Sequence, residues 1–128
     1  MITEDYVSFE TAKLLKEKGY WNIATTLYKE NGDIVNYNIP LNNKGFSSTL
    51  GVFYEAPTLQ TAMKWLREEH KLHIVVLWDC GAYTGSNSFY YHIDRIDNYE
   101  DKGYNKVGFD SYEQACEAAI KYCLENLI

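Results

Sequence analysis

Ser8-Phe9-Glu10-Thr11-Ala12, Thr58-Leu59-Gln60-Thr61-Ala62 and Ser111-Tyr112-Glu113-Gln114-Ala115 share one pattern. In each, a hydroxyl residue precedes a large apolar or aromatic one, Glu or Gln follows, and Ala stands four places after the hydroxyl. A Ser or Thr side chain accepts a backbone N–H that the first helical turn leaves unpaired, so it favours the N-cap. The pattern therefore marks three helix entries and divides the chain at each of them.

Working outward from these entries, the first helix is expected from Phe9 to Lys18 and stops at Gly19. Ala24 to Lys29 and Ile34 to Ile39 read as strands joined by Glu30-Asn31-Gly32-Asp33, because Asn-Gly tolerates the positive φ of a tight hairpin. Pro40 is expected to end the second of them. From Leu41 to Gly51 the composition turns to Asn, Ser and Gly, which predicts either an irregular loop or an extension of the strand. Val52 to Tyr54 leads into the second helix, Leu59 to Lys71. Leu72 to Trp78 is almost wholly apolar and reads as a central strand covered on at least one face. Asn87 to Asp94 is its hairpin partner, Arg95 to Lys106 a polar loop, and the last helix runs from about Ser111 to Leu127.

The expected architecture is one α+β domain over residues 1–128, in the order α-β-β-α-β-β-α. A four-stranded, mainly antiparallel sheet carries helices packed on one face. The two β-β-α units form a weak internal repeat, too few for a solenoid.

Composition narrows the classes of function. The net charge of −6 opposes a general nucleic-acid footprint, because neutralising phosphate carries most non-specific affinity. No apolar run is long enough for a membrane span, and Met1-Ile2-Thr3-Glu4-Asp5 lacks the basic start of a secretory signal, so a cytoplasmic location is expected. Three cysteines make no disulfide framework. Cys116 and Cys123 fall on one face of the last helix about 10 Å apart, too far for a bond, and read as small core thiols in a reducing compartment.

Candidate chemistry is sparse. Cys80 and His92, with Asp79 or Asp94, suggest a thiol and base. A turn centred near Tyr83 and Thr84 sets residue 80 opposite residue 87, which leaves the pair about 17 Å apart along the ladder. The same register puts His73 beside Asp94. His70, His73, His92, Asp94 and Asp97 do not converge as metal ligands must, and His70 reads as a helix-end residue at the negative end of the dipole. The Asp94–Asp101 loop fails the calcium pattern, since the sixth position is Tyr99 and the twelfth Asn105. Gly81-Ala82-Tyr83-Thr84-Gly85 lies between strands instead of before a helix and so is no dinucleotide loop. No catalytic, cofactor-binding or metal residues are assigned.

The aromatic load of 12 Tyr, 5 Phe and 3 Trp remains to be explained. Rigid aromatics with a polar tip anchor protein interfaces without a basic groove. Tyr90, Tyr99 and Tyr104 are the candidate interface residues. The expectation is a non-enzymatic protein-binding or accessory protein, with a protein partner or self-association. A nucleic-acid-associated protein is the alternative, and a small hydrolase or thiol enzyme the third choice.

Tyr6 to Gly19, Tyr54 to Glu68 and the Phe109-Asp110-Ser111-Tyr112-Glu113-Gln114-Ala115 block together resemble small uncharacterised proteins of Bacteroides-type gut bacteria and their phages or prophages. The resemblance implies a cytosolic, phage-derived or mobile-element origin. It implies no activity and no functional residues.

Overall fold

The structure, a computed structural model, describes residues 1–41, 51–81, 85 and 87–128. It is α+β, and it divides into two compact units, Met1–Thr58 and Leu59–Ile128.

In the first unit, α1 (Phe9–Glu17) is capped by Ser8, whose side chain accepts the Thr11 N–H at 3.2 Å. Thr11, Ala12 and Leu15 are its buried face. The strands β1 (Ala24–Lys29), β2 (Ile34–Leu41) and β3 (Phe53–Glu55) form an antiparallel sheet in the order β2-β1-β3. Gly32 takes φ +93° in the expected hairpin turn, and a Cβ there would meet the Phe9 ring at 3.4 Å. That ring packs in turn on Tyr28 and Tyr54, which are partners across β1 and β3. Pro40 does not end β2. The strand continues to Leu41, opposite Ala24, at the edge of its sheet and past a shift in register with β1, a position at which proline is tolerated.

In the second unit, α2 (Leu59–His70) is followed by β4 (Leu72–Cys80), β5 (Asn87–Arg95) and β6 (Tyr104–Phe109), then by α3 (Tyr112–Tyr122). A π-helical turn, Cys123–Leu127, prolongs α3. The sheet order is β4-β5-β6, antiparallel throughout. Ser111 caps α3 by accepting the Gln114 N–H, while Gln114 Oε1 accepts the Asp110 N–H. Buried residues of α2 are Leu59, Ala62, Met63 and Leu66. Those of α3 and its continuation are Ala115, Cys116, Ala119, Ile120, Cys123 and Leu124. In this continuation Leu124 is buried and Leu127 half-buried.

The four-stranded sheet is thus corrected to two three-stranded sheets. Two strands were missed for different reasons. Phe53–Glu55 is too short to show a period of two. Tyr104–Phe109 carries polar Asn105 and Lys106 and is broken near Gly108, where the register with β5 shifts. A second correction follows from β6. It occupies the far side of β5, so the apolar strand β4 is an edge and not a centre. No helix of the described residues is long and apolar enough to cross a membrane. Of the calls on the 41–51 stretch and on the turn at Tyr83 and Thr84, the parts on residues 42–50, 82–84 and 86 lie outside the described residues.

Candidate functional site

Strand alternation splits the second sheet into two faces. Leu72, Ile74, Tyr91 and Ile93 are buried on one of them. There Phe89 meets the Tyr112 ring edge-on at 6.4 Å, and Tyr91 and Tyr104 approach Tyr122 at 6.5 and 5.6 Å, so α3 lies over this face. Burial pushes the Tyr91 phenol above its usual range, with Tyr122 and Cys123 adding to the shift.

The other face carries His73, Val75 and Leu77 of β4, Tyr90, His92 and Asp94 of β5, and Asn105 and Val107 of β6. Leu77 is 45% exposed and Val107 40%. Val75, Leu77, Tyr90, His92, Asn105 and Val107 line an open hollow of about 370 Å³. At its end His92 Nε2 lies 2.9 Å from Asp94 Oδ1. Among the described residues this face bears no Lys or Arg.

Of the three candidate tyrosines, only Tyr90 belongs to this face. Tyr99 stands 93% exposed in the loop between β5 and β6. Tyr104 belongs to the opposite face, where it lines a separate hollow of about 480 Å³ with Tyr91, Lys106, Lys121 and Tyr122. The three are therefore not brought together. The residues sequence reasoning missed are Leu77 and Val75, which a reading of β4 as a covered central strand assigns to the interior, and Val107, which lies on the unexpected strand β6. Their signal was the register itself, since Leu77 stands opposite Tyr90 and Val75 opposite His92.

The expected hairpin register is the one observed. Cys80 pairs with Asn87 and His73 with Asp94, whereas His92 pairs with Val75. Cys80 and His92 are five rungs apart, roughly 17 Å, which separates a nucleophile from its base. The His70 ring is half-buried against Trp65 at 4.7 Å between centroids. Among the described residues no three His, Cys, Asp or Glu side chains converge on a common point as metal ligands would.

No protein-family model matches the chain, and neither the curated proteins nor the solved structures searched contain a match to it.

Proposed function

We propose that the chain is a protein-binding or accessory module that receives its partner on the open face of the β4-β5-β6 sheet. The observation that carries this reading is the joint exposure of Leu77 and Val107 on a face that also presents Val75 and Tyr90. Side chains of this kind in water are stabilised by a covering surface at about 25 cal/mol per Å² of apolar area. Tyr90 adds a rigid ring with a polar tip. The lack of Lys and Arg among the described residues of this face, with a chain charge of −6, favours a protein over a phosphate backbone. The resemblance to proteins of Bacteroides-type bacteria and their phages points to such a host as the source of the partner.

The test is affinity capture from lysate of a Bacteroides-type host, read by mass spectrometry, with wild type compared against V107E, Y90A and the remote control K64E. Val107 is exposed and Lys64 lies on the outer side of α2, so V107E and K64E should both fold. A partner held by wild type and K64E but lost from V107E and Y90A supports the reading. Equal capture by all four proteins overturns it, as does salt-sensitive nucleic-acid binding without any protein ligand.

A further inference from the structure

We infer that the hollow between α3 and β6 is a binding site for a small organic anion that carries a flat ring. It lies on the opposite side of the sheet from the face proposed to receive a protein, so neither reading depends on the other.

The walls follow from alternation on the strand and from spacing on the helix. Tyr104 and Lys106 stand two apart on β6 and so share a face. The ladder sets Lys106 opposite Tyr91 and Tyr104 opposite Ile93. On α3, Lys121 and Tyr122 follow Ala118 by three and four residues, the spacing that brings side chains to one side of a helix. Ala118 adds only a methyl group to the lining, so space remains between the longer side chains. The hollow measures about 480 Å³, within the range of roughly 300–1,000 Å³ usual for small-molecule sites.

Ring faces and hydroxyls both remain available there. Tyr104 and Tyr122 have centroids 5.6 Å apart with their planes inclined at 44°, and Tyr91 is inclined at 42° to Tyr122. Rings set at such angles are not stacked on one another, so a flat ligand ring can lie against them. Tyr91 is only 4% exposed, and a buried phenol ordinarily finds a hydrogen-bond partner. Among the described residues none bonds the Tyr91 hydroxyl, nor those of Tyr104 and Tyr122. Tyr112 on the same helix differs, since its hydroxyl accepts from Gln60 Nε2 at 3.1 Å. Three phenols that line one hollow thus keep their hydroxyls for whatever occupies it.

Charge selects the occupant. Lys106 holds its ammonium 5.8 Å from the Phe109 ring, and among the described residues it forms no ion pair. Lys121 brings a second ammonium and Glu125 a single carboxylate. The lining is therefore net positive within a chain of net charge −6. Ammonium and phenol groups are donors, and a carboxylate or phosphate accepts from both at once. The tilted tyrosines then hold the ring to which that anionic group is attached.

Backbone-amide NMR titration of the full chain tests this with four probes. Benzoate and adenosine monophosphate pair a ring with an anion, adenosine is a ring alone, and inorganic phosphate an anion alone. At least one of the two ring-bearing anions should shift the amides of residues 104–106 and 121–125. It should bind about tenfold or more tightly than adenosine or phosphate, and added salt should weaken it. K106E should lose about tenfold or more in affinity. K64E reverses the same charge on the outer side of α2 and should bind as wild type does. Y91F removes a hydroxyl alone, and should weaken binding about threefold or more while its urea midpoint stays level or rises, because a buried hydroxyl without a protein partner is lost. That pairing of weaker binding with unchanged stability separates ligand contact from a packing role. No amide shift with either ring-bearing anion at millimolar concentration overturns the inference. So do shifts confined to other parts of the surface, phosphate or adenosine binding as tightly as both ring-bearing anions, or wild-type affinity in K106E or Y91F.

Discussion

Asn22 donates its backbone N–H to both carboxylate oxygens of Glu55, at 2.8 and 3.0 Å. Glu55 is 1% exposed at the end of β3, and Asn22 lies in the irregular segment between α1 and β1. The carboxylate thus fixes that segment against the shortest strand of the first sheet. A buried charge is tolerated only where donors surround it.

Removing this carboxylate should be expensive. Glu55→Ala strands the Asn22 N–H and leaves a void, and should lower stability by about 2–4 kcal/mol. Glu55→Gln keeps one acceptor but buries an amide where donors converge, and should cost about 1–3 kcal/mol. Urea unfolding of both variants checks this. A midpoint for E55A equal to that of wild type would remove the clamp from the account.

A comparison of two glycines separates steric crowding from backbone strain. Gly19 and Gly103 both take positive φ, +90° and +79°. A Cβ on Gly19 meets nothing within 4 Å, so G19A should cost only the left-handed penalty of about 1 kcal/mol. A Cβ on Gly103 would stand 2.7 Å from the Ile93 carbonyl, 2.9 Å from Asp94 Oδ1 and 2.9 Å from His92 Cε1. The carbonyl belongs to the sheet and cannot yield, so G103A should cost about 2 kcal/mol or more beyond G19A. It should also shift the His92 ring resonances, which G19A leaves in place. Equal midpoints for the two variants would show that the β5–β6 loop adjusts without strain.

These particulars show which parts of the structure local sequence can carry. The caps were legible because a cap is a contact over three residues: Ser8 to Thr11 and Ser111 to Gln114. The β4–β5 register was equally legible, since the two strands are near neighbours in sequence. Strand number was not. Phe53–Glu55 is held in place by Leu27, Tyr28 and Lys29, far away in sequence, and Tyr104–Phe109 by β5. Neither has enough alternation to declare itself alone. The error over β4 has the same origin. Leu72 to Trp78 is apolar enough for a sheet centre, and only the partner chosen by β5 on its other side leaves it at the edge. The candidate face inherits that difficulty, for Leu77, Tyr90 and Val107 belong to three strands and share a surface only once the order is known.

The buried thiols and Tyr20 make stability fall at alkaline pH. Burial pushes Cys116 up to about 11 and Cys123 up to about 12, from 9.0. Burial, with the Glu55 carboxylate adding to it, raises Tyr20 from 10.0 to about 12. In each case the folded state holds the proton more tightly than the unfolded chain. The stabilisation is therefore complete below about pH 9 and is lost as pH rises toward 12. Urea midpoints should be level from pH 7 to 8.5 and fall steadily from about pH 9 upward. C116A/C123A should start from a lower midpoint and show a flatter fall, because the thiol contribution is gone and Tyr20 remains. The same burial governs reactivity. Cys80 is exposed while Cys116 and Cys123 are buried, and only the thiolate attacks. At pH 8 a disulfide reagent such as DTNB should label Cys80 promptly in the native protein and the other two only on unfolding. Three thiols reacting at one rate in the native state, or a midpoint that does not change up to pH 11, would contradict this placement of the last helix.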